Sequence, residues 1–575
     1  MSVIGNHPDE HLKGDVSLFV DGETLHSREG TTQGDPLAMA FYALATIPLI
    51  KTCKIEKLTG EVWFADDATG SGLLTDLRLW WDKLEEKGPS FGYFPNGAKT
   101  WLIVKPEVLD AAEDVFAGTE VKITAQGKRH LGAALGTRSF VEGYVTKCVT
   151  SWIEELGKLS NIARTHPQAA YSAFVHAIRG KWHYLARTVP DIQDLLLPLE
   201  KAVRQVFIPA LTGRAAPGDL ERELLSLPPR LGGLGLVNPV TTADSEHQAS
   251  LHLTSALVCL LAQQGSVMDN NRVPRQLAKK DLKRLKQQQE KQRAAELREK
   301  LPPTLQRATD LASEKGASAW LTALPLAVHG FDLPKGSFRD ALCLRYGWQL
   351  HHLPSQCVCG KDFNQDHALS CPTGGLPTIR HNEIRDILAT AMSEVCVDVV
   401  KEPALQPLSG ETFQRSSTSC DPNARLDIRA RGFWGSRLDC ALFDVRIFNP
   451  FAQSNRATSL ASVYQRHERA KRNTYEERVR EVERASFTPL IFSTSGGASR
   501  LTTTFLQHLA SLLAEKHRET YSTTMAWLRT TISFSLLRSA IICMRGSRST
   551  TRRVPAETNS MVPGLAISQA HVSPL

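Results

Sequence analysis

The sequence has no apolar stretch near its N-terminus. His7, Asp9, Glu10 and His11 stand where a secretory leader needs a hydrophobic core, so secretion is not expected. A long uncharged hydrophobic run is also missing. The most apolar segment, Met525 to Met544, is interrupted by Arg529 and Arg538, which suits a buried helix and not a membrane span. No repeat of fixed period is found, which argues against a solenoid. Cysteine is thin: eleven are scattered along the chain instead of forming a short disulfide framework, as in a reducing compartment. A strong excess of one charge is absent too. Against 60 Asp+Glu, 68 Lys+Arg leave +8, a mild bias toward an anionic partner.

What is present implies several folded units. Contents of 42% hydrophobic and 22% charged residues are close to the globular average, and 575 residues exceed what one core serves. Residues 16–140 alternate β-like runs (Val16 to Val20, Glu61 to Phe64, Thr100 to Val104) with helical stretches from Pro36 to Lys51 and Leu74 to Glu86, an α+β pattern. From about 145 to 265 apolar residues recur at helical spacing, broken at Pro190, Pro209 and the segment ending at Gly233. Residues 272–300, rich in Lys, Arg, Gln and Glu, predict an exposed helix. Ser409 to Asn423 is a polar loop.

Three constellations carry chemistry. In the first, Gln33-Gly34-Asp35-Pro36 runs into an apolar helix, and about thirty residues later Ala65-Asp66-Asp67 ends an apolar strand at an expected hairpin turn. Gly34 permits close backbone approach to a ligand, and adjacent carboxylates suit Mg²⁺, a hard cation that prefers oxygen. In the second, Cys357, Cys359, His367 and Cys371 place three thiols and one imidazole within fifteen residues, with Gly360 at the turn. Soft sulfur and nitrogen donors at this spacing suit tetrahedral Zn²⁺, and four ligands close the site for a structural role.

The third lies directly after the Cys/His cluster. An amphipathic helix opens around Arg380 to Arg385, then come a strand at Val397 to Lys401 with Glu402, the polar loop, and β-like runs at Arg425 to Arg429 and Leu438 to Phe448. Alternation puts Phe443, Val445 and Ile447 on one face and Leu442, Asp444 and Arg446 on the other. Asp444, with Asp427 on the preceding run, forms a carboxylate pair beside positive charge, as metal-assisted phosphodiester hydrolysis requires. A basic helix then carries Lys471 and Tyr475 one turn apart. Arg425, Arg429 and Arg446 could instead neutralise the two aspartates in a structural salt bridge. The Ser493-Thr494-Ser495-Gly496-Gly497 segment is read as a turn within the domain.

The series Gln33 to Pro36, Asp66-Asp67, Gly97-Ala98-Lys99-Thr100 and Leu131-Gly132 resembles the successive motifs of reverse transcriptases, specifically those of non-LTR retrotransposons. The resemblance implies template and nucleotide binding at Gln33, Gly34, Asp35 and Pro36, catalytic Mg²⁺ at Asp66 and Asp67, and a triphosphate contact at Lys99. That family's first catalytic aspartate lies on an earlier strand. Here Asp9 and Asp15 precede the series without such a strand, so polymerase activity from this chain alone is not expected. The helical stretch ending in Leu231-Gly232-Gly233-Leu234-Gly235-Leu236 resembles the thumb, and the Cys/His cluster resembles the zinc knuckle of site-specific elements, which helps position target DNA.

The region C-terminal to the knuckle resembles a restriction-like endonuclease, with Arg425-Leu426-Asp427 in place of Pro-Asp and Arg446 where lysine is usual. Asp427 and Asp444 would bind Mg²⁺, Lys471 would supply the catalytic lysine from the next helix, and Glu383, Arg446 and Tyr475 would support them. The expected layout is an α+β multidomain chain. It comprises a partial palm (1–142), a helical thumb-like domain (143–270), a basic connector (271–350), the zinc knuckle (351–378), an endonuclease α/β core (379–545) and a basic, disordered tail (546–575). Expected partners are RNA template, DNA target and dNTPs, with no membrane, in an intracellular and ultimately nuclear setting.

Overall fold

The computed structural model describes residues 16–20, 23–27, 37–55, 58–262 and 272–548. It is a mixture of helices and small sheets, the α+β class expected. The chain divides into two compact units: residues 1–147 with 187–190 and 245–280, and residues 148–186 with 191–244 and 281–575. The helical stretch expected over 143–270 therefore contributes to both.

The first unit holds short strands in pairs. Strands β1 (Val16–Val20) and β2 (Glu23–Ser27) are antiparallel, as are β3 (Gly60–Phe64) and β4 (Asp67–Ser71). Strands β5 (Trp101–Ile103) and β6 (Lys122–Thr124) are parallel, and β7 (Gly127–His130) and β8 (Ala133–Gly136) form another hairpin. Helices α1 (Ala38–Cys53) and α2 (Leu74–Lys87) bury Leu49, Cys53, Trp80 and Leu84 against one another with Ile55 and Leu58. The i, i+3, i+4, i+7 spacing of Leu77, Trp80, Trp81 and Leu84 gives α2 its apolar stripe. Trp81 faces a second cluster with Phe116 and Val121.

In the second unit the glycine-rich segment read as the end of a thumb is part of the core. Its carbonyls meet buried donors. Arg345 donates to Gly233 O at 3.1 Å, Tyr346 Oη to Gly232 O at 3.0 Å, Tyr171 Oη to Leu234 O at 2.8 Å, and Arg222 to Leu236 O at 2.7 Å. Gly233 is obligatory for packing, because a Cβ there would stand 1.9 Å from Leu227 O. The apolar stretch Met525 to Met544 lies in helix α8 (Tyr521–Arg545) and is buried along most of its length; there Arg538 donates to Gly330 O and Asp332 O at 2.6 and 2.9 Å. Among the described residues no helix is long and apolar enough to cross a membrane.

The same unit contains a four-stranded sheet. Strands β9 (Val397–Lys401), β10 (Ile428–Arg431) and β11 (Cys440–Phe448) are antiparallel neighbours, and β12 (Ser486–Ser493) runs parallel to β11. Before the sheet come helices α4 (Gln365–Ser370) and α5 (Leu376–Ser393), with the connector helix α3 (Arg272–Lys300) earlier in the chain. Helix α6 (Leu460–Glu481) joins β11 to β12, and α7 (Arg500–His517) comes next. The chain order around the sheet is thus αβββαβ.

Helix α6 and strand β11 share a periodicity. Two residues of strand advance about 6.6 Å and four of helix about 6.0 Å, so antiparallel neighbours stay matched over several steps. Leu442 lies in a cluster with Tyr475 and Val479, Asp444 meets Lys471, Arg446 acts on His467, and Phe448 packs on His467 and Tyr464. Phe443, on the opposite face, packs against Phe505 of α7. The alternation read from sequence is the one observed.

Helix α6 also organises the polar loop of residues 409–423. Glu477 accepts from Gln414 N, Arg415 N and Thr418 Oγ1 at 2.6, 3.1 and 3.0 Å. The fully buried Arg478 donates to Ser419 O, Asp421 O and Gln406 O at 3.0, 2.8 and 3.0 Å. In a loop without strand or helix of its own, the backbone groups of Gln414, Arg415, Ser419 and Asp421 are paired by two adjacent helix side chains.

Candidate active site and metal centre

In the first unit the β3–β4 pairing ends at Phe64↔Asp67, which leaves Ala65 and Asp66 as a two-residue turn. Ala65 takes φ +53°, the left-handed conformation such tight hairpins use. Asp66 and Asp67 are exposed side by side, as expected. Tyr93 Oη donates to Asp66 O at 3.2 Å; burial, with Tyr42, Asp66 and Asp67 nearby, pushes its phenol up to about 12. Tyr93 therefore remains a neutral donor beneath the turn. Lys99 lies exposed in the 3₁₀ turn Gly97–Lys99, where its N–H donates to Asn96 Oδ1 at 3.1 Å. Among the described residues no ion pair links it to Asp66 or Asp67. Gln33, Gly34, Asp35 and Pro36 lie outside the described residues.

In the second unit Cys357, Cys359, His367 and Cys371 converge, with all four donor atoms within 4.8 Å of one another. The local sequence explains how. A bridge between Gln356 and Asp362 closes a tight loop, Gly360 turns it at φ +82°, and Cys357 N donates to Lys361 O at 2.9 Å. Asn364 then caps α4 by accepting from His367 N at 2.9 Å, which points the imidazole back at the loop, and Cys371 ends the same helix. The separations are Cys357–Cys371 3.9 Å, Cys359–Cys371 3.9 Å and Cys359 Sγ–His367 Nε2 3.3 Å. A tetrahedral ion with Zn–S near 2.3 Å and Zn–N near 2.0 Å has edges of roughly 3.8 and 3.5 Å. The donor set and its spacing fit a metal such as zinc.

The cluster is docked onto the sheet. Asn449, the residue after β11, donates to Asp366 Oδ1 at 2.7 Å and to Ser370 Oγ at 3.2 Å, and Arg380 of α5 donates to Leu369 O at 3.2 Å. These contacts connect the helix that carries His367 to the strand that carries Asp444.

Around that strand the structure brings Asp427, Asp444, Lys471 and Tyr475 together. Asp444 is 5% exposed, and its Oδ2 forms an ion pair with Lys471 Nζ at 2.6 Å. Among the described residues Lys471 is the one partner of this buried oxygen. Burial raises the Asp444 carboxyl to about 6, helped by the Asp427 charge and opposed by Lys471. Lys471 Nζ also lies 5.6 Å from the Tyr475 ring centroid. Asp427 stands immediately before β10, not within a strand over 425–429 as expected. Its Oδ2 accepts from Val445 N at 2.6 Å, taking a donor that a continued ladder would have used, and pairing resumes at Ile428.

The arginines do not neutralise the aspartates. Arg429 pairs with Asp398 at 3.0 Å, while Arg425 and Arg446 are exposed. Arg446 does share the α6-facing side of β11 with Asp444. Glu383 is turned elsewhere, accepting from Ser539 Oγ of α8 at 2.9 Å. The residue of α5 that reaches the site is His381, with Nε2 2.8 Å from Asp427 Oδ1. Sequence reading passed over it; the one-turn spacing of His381 and Arg385 was the available signal. The Ser493–Gly497 segment is a turn, closed by Ser493 N to Gly497 O at 2.9 Å.

Two outcomes are expected. The purified chain binds one zinc ion; Cys357→Ser or Cys371→Ser weakens it on the order of 100-fold or more and lowers the melting temperature. Cys420→Ser, outside the cluster, does neither. The second concerns Asp444 in chelator-treated protein. Its folded pKa is raised from 3.8 to about 6, so the wild type loses stability as pH climbs through that window, and the loss is complete above it. Asp444→Asn lacks this loss. Its stability relative to wild type should rise on the order of 2–3 kcal/mol between pH 4 and 7 in urea unfolding, whatever the offset at low pH. A flat difference would show that the carboxylate is unperturbed.

No family model matches the chain and no curated protein matches it, so its geometry and chemistry carry the functional reading.

Proposed function

We propose that this chain hydrolyses DNA phosphodiesters with a divalent cation at the Asp427–Asp444–Lys471 site, as the endonuclease part of a non-LTR retrotransposon protein. The observation that carries the reading is a buried carboxylate whose Oδ2 meets a lysine ammonium, beside a second carboxylate at the start of an inner strand, within an αβββαβ unit. A buried carboxylate raised to about 6 is costly to the fold, and such costs cluster where chemistry needs them.

Asp427 and Asp444 offer hard oxygen donors, which fit Mg²⁺, an ion commonly held by one or two carboxylates plus substrate phosphate and water. Bound there, it would act as a Lewis acid and lower the pKa of attacking water. Lys471, closed on Asp444 at 2.6 Å, would be released when a divalent cation takes that carboxylate and would bring its charge to where a phosphate's developing charge needs one. Tyr475, one turn on, packs beside the lysine stem. The zinc cluster, docked through Asn449, would brace β11 and add a surface for target DNA.

The exposed Asp66-Asp67 turn supports a second module, a partial reverse-transcriptase-like palm whose ancestral ligands would be Mg²⁺, dNTPs and an RNA template, with Lys99 near the triphosphate; polymerase activity from this chain alone is not expected. Together the two would serve target-primed reverse transcription in the nucleus: nicking DNA, then copying RNA from the new 3′ end. Two narrower readings remain alternatives, an endonuclease alone and a zinc-dependent nucleic-acid-binding protein without catalysis.

Plasmid nicking by the zinc-loaded chain distinguishes them. Asp427→Ala and Asp444→Ala should each abolish Mg²⁺-dependent nicking, and Lys471→Ala should slow it roughly 10²–10³-fold, the usual cost of one transition-state charge partner. Absence of nicking with any divalent cation would sink the catalytic reading. DNA retention lost with Cys357→Ser but kept with Asp444→Ala would then favour the binding protein.

A further inference from the structure

The two carboxylates of the proposed nuclease site are held very differently. Asp444 Oδ2 meets Lys471 Nζ at 2.6 Å and, among the described residues, nothing else. Asp427 is fixed at four atoms. Its N–H donates to Phe443 O at 3.1 Å, its carbonyl accepts from Glu402 N at 2.9 Å, its Oδ2 accepts from Val445 N at 2.6 Å, and its Oδ1 lies 2.8 Å from His381 Nε2. Three of these contacts are made with backbone groups of Phe443, Glu402 and Val445; the fourth depends on the His381 side chain.

That side chain comes from a rigid support. In α5, Ile384 and Leu388 are fully buried, and Arg380, beside His381, is buried and anchored on Leu369 O. One turn on, Arg385 engages Asp386 at 2.9 Å and also Glu402, whose own N–H holds the Asp427 carbonyl. One face of α5 therefore holds Asp427 directly through His381 and indirectly through Arg385.

We infer that His381 is a positioning residue: its Nε2–H fixes the Asp427 carboxylate so that the remaining lone pair on each oxygen is set for a divalent cation. This rests on the nuclease reading of the site. An ionised carboxylate only accepts, so Nε2 is the donor, and each carboxylate oxygen keeps a second lone-pair direction after accepting one hydrogen bond. Asp427 is then the preset ligand. Asp444 is the adjustable one, exchanging Lys471 for shared contact with the cation. A hydrogen-bond partner behind a metal ligand typically contributes 10–100-fold in affinity, and the same is expected here.

The test is Mn²⁺ binding to the full zinc-loaded chain without DNA, monitored by electron paramagnetic resonance, with melting temperatures in parallel. The variants are His381→Ala, His381→Gln, Asp427→Ala and Asp444→Ala. Weakening of roughly 10–100-fold in His381→Ala is expected, with most affinity restored by His381→Gln, whose amide can reach the same oxygen. Nicking at saturating Mn²⁺ should recover toward wild type. Should His381→Ala not fold, His381→Asn takes its place, setting the donor one bond short. Wild-type affinity in His381→Ala, or equal weakening in the Ala and Gln variants, overturns the inference while the nuclease reading stands. Unchanged Mn²⁺ binding in both aspartate variants overturns that reading, and the inference with it.

Discussion

Asp444 and Lys471 lie 2.6 Å apart, with the Asp444 side chain 7% and the Lys471 side chain 22% exposed. A buried pair of this kind gains little net stability, because desolvation of two charges offsets most of their attraction. The surrounding structure has to hold the pair in place, and much of it does. The matched periods of β11 and α6 bring residue 444 opposite residue 471. Leu442 with Val479 on one side and Phe448 with Tyr464 and His467 on the other supply the apolar contacts that keep the two elements in register.

The neighbouring features depend on the same strand. Asp427 completes the carboxylate pair because Val445 N, pointing sideways from β11, is given to its side chain instead of to the ladder. Asn449, at the end of β11, connects the strand to Asp366 and so to the helix bearing His367. The Cys/His cluster thus abuts the strand that carries the buried charge, and a bound metal would stiffen that contact. Glu477 and Arg478, two turns beyond Lys471 on α6, anchor the long polar loop in the same unit.

Much of this was legible in the sequence, where periodicity and ligand spacing are local properties. The αβ order from residue 380 to 493, the opposed faces of residues 442 to 447, the hairpin at Asp66-Asp67 and the four-residue Cys/His cluster could all be read from short windows. The contacts made across the fold could not. Glu383 looked like the supporting acid on α5 but turns to Ser539, while His381, two residues earlier, reaches Asp427 over 46 positions. The glycines at 232, 233 and 235 read as a thumb terminus, yet the partners of this segment are Arg345, Tyr346 and Tyr171, far away in sequence. The boundary of β10 was missed because a side chain had taken the place of a backbone acceptor.

The central claim is that Asp427 and Asp444 jointly hold a divalent cation at a site distinct from the Cys/His cluster. Anomalous diffraction from crystals grown with manganese and zinc tests it directly. The account predicts a manganese peak within coordination distance of both carboxylates, with Lys471 no longer closed on Asp444 Oδ2, and a separate zinc peak at Cys357, Cys359, His367 and Cys371. Ordered carboxylates with no manganese between them and Lys471 still in contact would contradict it.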